Sequence, residues 1–559
     1  MKKNDIRETN LWQLYDKGVN YNRTRQLYDK TDKCFRFYNG DQWNGFKSGG
    51  IEPVTYPIVE PIVNYKVSTI NQNLWSINYS SDNFDDLDNK EMFNEACDLL
   101  NKRVSRVWER DQLDYKVRKV STDSAVVGEG IIYVDYDDEN NDPTTEVLNN
   151  TDICYGNENS SDIQSQPYII IKIRRPVEQI KDLARNKGIP EDKIELIVGD
   201  QQVQEEAGDS AKKEVNNMCT VITKMYKENG TVHFERATRY VTIQEDKDTG
   251  LTLYPLSHMI WREVKGYSRG VGEVEYLIPN QIEINKTLMR RALIVKLHAY
   301  QKNVIDVSKI ANPQDADKVG VTLRTNGQPI DDVRKAFTTI QPSNMSSDAN
   351  LLQEEMISKT RELRNASELA TGNVNPEKAS GRAILAVQQA SNLPLNEHTL
   401  ALKTFIEDLG RIFLDMWTVY AVQGLQMIDT TMNNETEQEE ETIKYITVEV
   451  LKSLKATVRV DITPKSPYDK MAVEQSLENL LQGGYISFEE YVNALDDDST
   501  MPKQKLLDII EDRKEKEAQI QQMKLQAEQM MNSANNVVDT VDQVDEVQQI
   551  VNQEQATGM

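Results

Sequence analysis

Residues 270–425 set the terms for any fold this chain adopts. A helix-patterned segment runs into a short strand-like excursion, a second helix leads away from it, and a glycine-bounded loop opens a much longer helix. Nothing in that stretch has the spacing of a catalytic site.

Two apolar stripes run along residues 277–300. One passes through Ile278, Ile282, Met289 and Ala292, the other through Ile284, Leu288 and Val295, with Lys286, Arg290 and Arg291 at polar positions. A surface helix needs one stripe toward one core, whereas two stripes suit a helix wedged between neighbours. The alternative is a helix buried inside its own monomer. From residue 301 the period changes: 302–307, 320–325 and 336–341 read as short strands, with Asn326-Gly327 as a turn. Ser347 or Asp348 then caps a helix with its stripe at Leu352, Met356, Leu363, Ala366 and Ala370, and Thr371-Gly372 stops it. Two helices thus bracket a small β module.

Pro376 and Gly381 keep residues 373–383 out of helix. The helix that follows runs to about residue 424, with Leu402, Phe405, Ile406, Leu409, Phe413, Met416, Trp417 and Tyr420 on one face. Its roughly 40 residues, at about 1.5 Å each, span about 60 Å. Pro394 is expected to kink it.

Four local strings accompany this order: Tyr38-Asn39-Gly40-Asp41-Gln42-Trp43, Asn64-Tyr65-Lys66-Val67, Gly266-Tyr267-Ser268-Arg269-Gly270 and Ala379-Ser380-Gly381-Arg382-Ala383-Ile384. In sequence and in order they resemble the portal proteins of tailed bacteriophages. The resemblance implies an α+β, mainly helical chain assembled as a ring, twelve-fold in that family. Residues 1–270 would form a wing, 271–300 and 347–371 two stem helices, 301–346 a β clip and 372–383 a tunnel loop. Residues 384–466 would supply the long kinked helix and returning wing strands, and 467–559 a helical crown and tail. The same resemblance implies a place at one capsid vertex of the virion after assembly in the host cytoplasm, with double-stranded DNA passing through a channel. Its implied partners are the terminase large subunit, head completion or adaptor proteins, and the major capsid and scaffolding proteins.

On that plan Gly372, Asn373, Lys378, Gly381 and Arg382 line the tunnel loop, Lys378 and Arg382 being its only cations. Lys302, Lys309, Lys318, Arg324, Arg334 and Lys335 make the clip mildly basic and mark a docking surface. Ile284, Leu288 and Val295 are the expected subunit contacts.

A length of 559 residues allows three or four domains. The 38% hydrophobic content gives a modest core, which suits a protein that completes its burial against copies of itself. No apolar run approaches the roughly 20 residues a bilayer span needs, and no signal-peptide core follows the first residues, so a soluble, cytoplasmic product is expected. The charge of −25 argues against tight grip on nucleic acid, since Lys and Arg contacts to phosphate supply most non-specific affinity. It is compatible with a wall that duplex DNA slides past, and equally with the solubility of an ordinary acidic protein. Cys34, Cys97, Cys154 and Cys219 are widely spaced and expected to be reduced thiols. The four histidines, at 233, 258, 298 and 398, form no paired spacing, so no metal and no cofactor are expected.

In the first 270 residues, 10–38, 64–75 and 91–108 read as helices, with Pro53, Pro57 and Pro61 in an extended linker. Strands are expected at 131–136, 168–173, 220–226, 233–239 and 252–255, with short helices at 178–186 and 191–198. The acidic stretch 429–442 reads as an exposed loop, 446–450 and 456–462 as strands, and 470–482 and 487–494 as helices. Ser487 with Glu490 makes a capping box. Ala527, Met531, Ala534, Val538 and Val541 form a 3-4 repeat, which fits a self-pairing helix; a disordered tail competes with that reading, most of all over 553–559.

No GxxxxGK[ST], HExxH or EF-hand loop occurs, so no ATP-burning motor is expected. Gly266 to Gly270 spells GxSxG, but no partner histidine is identifiable and a structural turn is the expectation. Acidic runs at Asp135, Asp137, Asp138 and at Asp496, Asp497, Asp498 could hold Mg²⁺ for a nuclease, though adjacent carboxylates point in different directions along a strand or turn. Two rivals to the portal reading therefore remain, a non-channel structural assembly protein and a metal-dependent nuclease.

Overall fold

The computed structural model describes residues 8–45, 51–81, 90–200, 217–299, 302–316, 318, 320–327, 335–340, 347–366, 393–432, 439–463 and 476–495, with scattered positions from 503 to 516. Helices and antiparallel strands mix throughout, an α+β chain as expected. Two compact units are present, Met1–Thr463 and Pro464–Met559.

In the first unit the expected helix over 10–38 is two, α1 (Asn10–Thr24) and α2 (Leu27–Tyr38), because Gln26 takes a left-handed φ of 58° that breaks the ladder. α3 (Val59–Ile70) ends early, and Trp75, expected helical, lies in β1 (Leu74–Ser81). β1 pairs antiparallel with β14 (Ala456–Thr463), and burying Trp75, Ile77 and Tyr79 on one face outweighs the local helical pattern. α4 (Lys90–Arg110) and α5 (Leu113–Val127) follow, the second unanticipated.

A three-stranded antiparallel sheet, ordered β3-β2-β9, joins β2 (Glu129–Asp137), β3 (Asp142–Leu148) and β9 (Leu256–Ile260). The strand expected at 252–255 instead begins four residues later, at Leu256. A second sheet, ordered β4-β5-β6-β7-β8, comprises β4 (Ile153–Tyr155), β5 (Tyr168–Pro176), β6 (Met218–Glu228), β7 (Thr231–Ala237) and β8 (Thr242–Asp248). α6 (Val177–Asn186) and α7 (Glu191–Ile194) cover part of it through Ile180, Ala184 and Ile194.

α10 (Asn396–Tyr420) runs through the main core, with Leu402, Phe405, Ile406, Leu409, Phe413, Met416 and Trp417 buried as the sequence pattern requires. Pro394 falls in a 3-10 turn (Leu393–Leu395) at which α10 begins, and the upstream part of the expected long helix lies outside the described residues. Asp142 fastens the core: Arg103 Nε donates to it at 2.7 Å, Arg110 at 2.9 Å and the Trp417 indole at 3.3 Å, joining α4, β3 and α10.

The acidic stretch expected as a loop is a hairpin, β12 (Leu425–Met432) and β13 (Glu439–Ile446), in register from Leu425↔Ile446 to Met432↔Glu439. The register sets Glu439, Glu440 and Glu441 opposite Met432, Thr431 and Thr430 rather than opposite other acids, so the ladder tolerates them. The strand expected at 446–450 is a short helix, α11 (Val448–Ser453), capped by Thr447.

In the second unit, 476–482 is helical and α12 (Phe488–Ala494) carries the expected capping box between Ser487 and Glu490. Tyr491, Val492 and Leu495 form its small core with Leu477, Leu481 and Ile510. The 3-4 repeat from Ala527 to Val541 lies outside the described residues.

Candidate functional site

Three of the four strings singled out in the sequence converge on the base of one helix, α8 (Glu273–Ala299). Gln42 accepts a hydrogen bond from Asn285 Nδ2, and Gln281 Nε2 donates to Asn285 Oδ1 at 2.9 Å and to the Tyr56 carbonyl at 2.7 Å. The Ile58 N–H donates to Gln281 Oε1 at 3.0 Å and the Tyr56 N–H to Asn285 Oδ1 at 3.1 Å, so the Pro-rich linker is stitched to the helix by backbone groups. The first two strings also meet, Tyr38 donating to Asn64 at 2.7 Å, and in the second, buried Lys66 pairs with buried Glu273 at 2.9 Å. Burial pulls the Lys66 pKa down while Glu273 holds it up. Arg364, just past the second helix of the pair, sits 3.5 Å from the same Glu273 carboxylate.

The third string is a joint rather than a nucleophile elbow. Ser268 is buried and donates to Glu158 Oε2 at 3.2 Å. Arg269, also buried, pairs with Glu129, donates to the carbonyls of Asn150 at 2.7 Å and Ile153 at 2.6 Å, and lies over the Tyr155 ring at 4.8 Å. Burial pushes the Glu129 carboxyl up and the guanidinium draws it back. A serine locked in this way offers no exposed hydroxyl for attack.

Beyond its base α8 changes character. Ile284, an expected subunit contact, is wholly buried within its own chain and so is not free to meet a neighbour, Leu288 is half-buried, and Val295 is 67% exposed. α9 (Ser347–Leu363) lies against α8. The two are bonded through polar groups, Asn280 to Thr360 at 3.1 Å and Arg291 to Gln353. Gln353 and Thr360 are buried, while Leu352 and Leu363 of the expected apolar stripe are 52% and 76% exposed. The apolar stripe of α9 therefore lies about a quarter-turn from its buried face.

At the far end of the pair, β10 (Lys302–Ile305) and β11 (Phe337–Ile340) form an antiparallel ribbon. The strand expected at 320–325 is reduced to one bridge, Ile310↔Thr325. Asn312 occupies the place of a strand partner: its Nδ2 donates to the Thr322 carbonyl at 3.2 Å and its Oδ1 accepts from the Arg324 N–H at 2.8 Å. Of the six expected docking cations, Lys309 pairs with Asp306 at 3.2 Å and Lys318 with Asp315 at 2.8 Å. Arg324 and Lys335 are exposed. Lys302 stands on β10 opposite Ile340, and Arg334 lies outside the described residues. So do Gly372, Asn373, Lys378, Gly381 and Arg382, the whole expected tunnel loop.

The acidic run that ends β2 caps the turn that follows. Asp137 Oδ1 accepts from the Glu139 N–H at 3.0 Å and Asp135 Oδ1 from the Tyr136 N–H at 3.0 Å, which turns them to their own backbone. Asp496 to Asp498 lie outside the described residues. What the sequence did not disclose is a cluster on the second sheet, where His233 meets Glu228 and Asp246. The only hint was alternation along two adjacent strands, which says nothing until their register is known. No described helix is long and apolar enough to cross a membrane.

The sequence model of the family described as phage P22-like portal protein matches residues 15–163 and 178–558 of this chain. The search of curated proteins finds no match.

Proposed function

Because the chain belongs to the phage P22-like portal protein family, we propose that its copies form a ring at one vertex of a phage capsid, through which double-stranded DNA is packaged and later ejected. The observation that carries this reading is the span of the family match, which takes in the converging strings, the α8–α9 pair and α10 together. The family is structural rather than catalytic, and the buried, bonded state of Ser268 and the turn-capping role of Asp137 support the same view.

The exposed leucines of α9 and Val295 of α8 supply apolar surface for a neighbouring copy, and the half-buried Leu288 lies on the same helix. The acidic chain leaves DNA loosely held, since its 65 Lys and Arg are outnumbered by 90 Asp and Glu that repel phosphate. In this reading α8 and α9 are the stem, the ribbon at 301–346 is the clip, and residues 372–383 narrow the channel. The clip receives the terminase large subunit during packaging and head completion or adaptor proteins afterwards, while the wing (1–270) faces the major capsid and scaffolding proteins.

Negative-stain imaging of the purified chain tests the proposal. Closed rings with a central hole, twelve-fold by family analogy, are expected. Dimers or filaments without a hole would replace it with a non-channel assembly role, and Mg²⁺-dependent cutting of plasmid DNA would replace it with a nuclease.

A further inference from the structure

Sheet register brings His233 against carboxylates that are far from it in the spacing rules of metal motifs. It stands on β7 opposite Tyr226 of β6 and Asp248 of β8. Its Nδ1 lies 2.9 Å from Asp246 Oδ1, and its Nε2 lies 3.9 Å from Asp248 Oδ1 and 3.4 Å from Thr231 Oγ1. Glu228 ends β6 at the same hairpin, and one ligand atom from each of Glu228, His233 and Asp246 lies within 4.8 Å of the other two.

We propose that Glu228, His233 and Asp246 form a binding site for a divalent transition-metal ion, with Asp248 beside it. In the ion-free protein Nδ1 and the Asp246 oxygen share a hydrogen bond of 2.9 Å, and a shift of about half an ångström takes them to the roughly 3.3 Å that separates two tetrahedral ligands with bonds of about 2.0–2.1 Å. One imidazole and two carboxylates suit Mn²⁺, Co²⁺, Ni²⁺ or Zn²⁺, whereas Ca²⁺ and Mg²⁺ prefer oxygen alone.

Two of the ligands are held in place before an ion arrives. The His233 ring stacks on Tyr226 at 5.6 Å, and the Tyr226 hydroxyl donates to Asp246 at 2.8 Å. Three carboxylates surround one imidazole. The nearby cation, Lys224, lies over the Tyr226 ring at 4.2 Å and pairs with Glu235 rather than with the cluster. The location also gives an ion something to do. β8 is the outer strand of its sheet, and its ladder to β7 slips between Phe234 and Arg236 and again between Arg236 and Ala237. An ion shared by the β6–β7 hairpin and β8 clips that irregular edge down.

The test is calorimetric titration of the full-length assembled protein with Zn²⁺, and separately with Mn²⁺ read also by its electron paramagnetic resonance signal. Wild type is expected to take up one ion per chain and to melt at a higher temperature when it does. His233→Ala is expected to lose uptake and the melting shift, and Glu228→Gln to bind about 10-fold or more weakly. Glu228 is exposed and His233 half-buried against Tyr226, so ion-free melting curves of both variants report whether the fold survives. Asp137→Asn, in an exposed acidic turn without histidine, is expected to bind as wild type does. The proposal is overturned if wild type shows no saturable uptake, or if His233→Ala and Glu228→Gln both bind as wild type, in which case the cluster is only an imidazolium–carboxylate pair.

Discussion

Gly128 and Gly270 stand so close that a Cβ on either would fall 2.4 Å from the other's carbonyl oxygen. Gly128 also takes a φ of 107° and its carbonyl accepts the Trp261 N–H at 2.9 Å, so the end of α5, the start of β2 and the approach to α8 meet backbone to backbone. Only residues without a side chain let that junction close.

Gly270→Ala is therefore expected to cost about 3 kcal/mol, at the upper end of overpacking penalties, because the obstruction is backbone and cannot swing aside. Gly188→Ala is the comparison, a left-handed glycine with open space around it, and should cost no more than about 1–2 kcal/mol. Urea melts of the two variants decide; equal losses would mean that the junction relaxes.

Arg269→Met leaves Glu129 buried without its cation, a loss of about 3–5 kcal/mol. The sign of the pH dependence follows from Glu129, whose carboxyl is raised from its ordinary 4.5 chiefly by burial. The folded chain then binds a proton more readily than the unfolded one, so stability falls as pH rises from that ordinary value toward the raised one. Without Arg269 the fall should steepen and extend to higher pH, and Glu129→Gln in the same chain should flatten it. Thermal midpoints between pH 4.5 and 8 give the answer, and a variant whose midpoint rises with pH refutes the assignment.

Ile284 and Leu363 separate folding from assembly. Ile284→Asp places a charge at a fully buried position and should cost about 3–5 kcal/mol, leaving little soluble chain. Leu363→Asp alters an exposed residue, so monomer stability should move by no more than about 0.5 kcal/mol while rings fail to form. Mass photometry beside a melting curve reads both, and normal rings from Leu363→Asp remove the exposed stripe from the subunit contact.

Charge reversal at Arg324 together with Lys335, both exposed between the two strands of the ribbon, should leave rings intact and abolish DNA packaging. A packaging assay with purified motor checks it. Normal packaging by intact double-variant rings would move the docking surface elsewhere.

If residues 372–383 are the tunnel loop that the resemblance implies, neutralising Lys378 and Arg382 together should slow DNA passage with little change in stability, since substitutions away from a core usually stay within about 0.5 kcal/mol. Gly381→Val should impair passage with both charges present, through backbone restriction alone. Parental packaging rates in both would show that residues 372–383 are not where the channel narrows.

What the sequence made legible was local. The capping box spans three residues, and Ser487 and Glu490 form it as read. The α10 stripe repeats every three or four residues and lies in the core. What it hid was long-range. Trp75 looks helical until β14, nearly the length of the first unit away, pairs with it. Gln42 gives no sign that its partner, Asn285, stands 243 residues further on. The stripe on α9 was visible, but periodicity names a face without saying what lies against it, and here the chain's own core does not cover Leu363.

The bonds between α8 and α9 bear on how the pair can move. Two helices locked by interdigitated leucines must unpack before they slide, and unpacking exposes oil to water. Gln353 and Thr360 are buried, so parting them from Arg291 and Asn280 strands polar groups out of water, at about 1–3 kcal/mol each. The pair is therefore keyed in one register, with Glu273, held by Lys66 and Arg364, fixing its base.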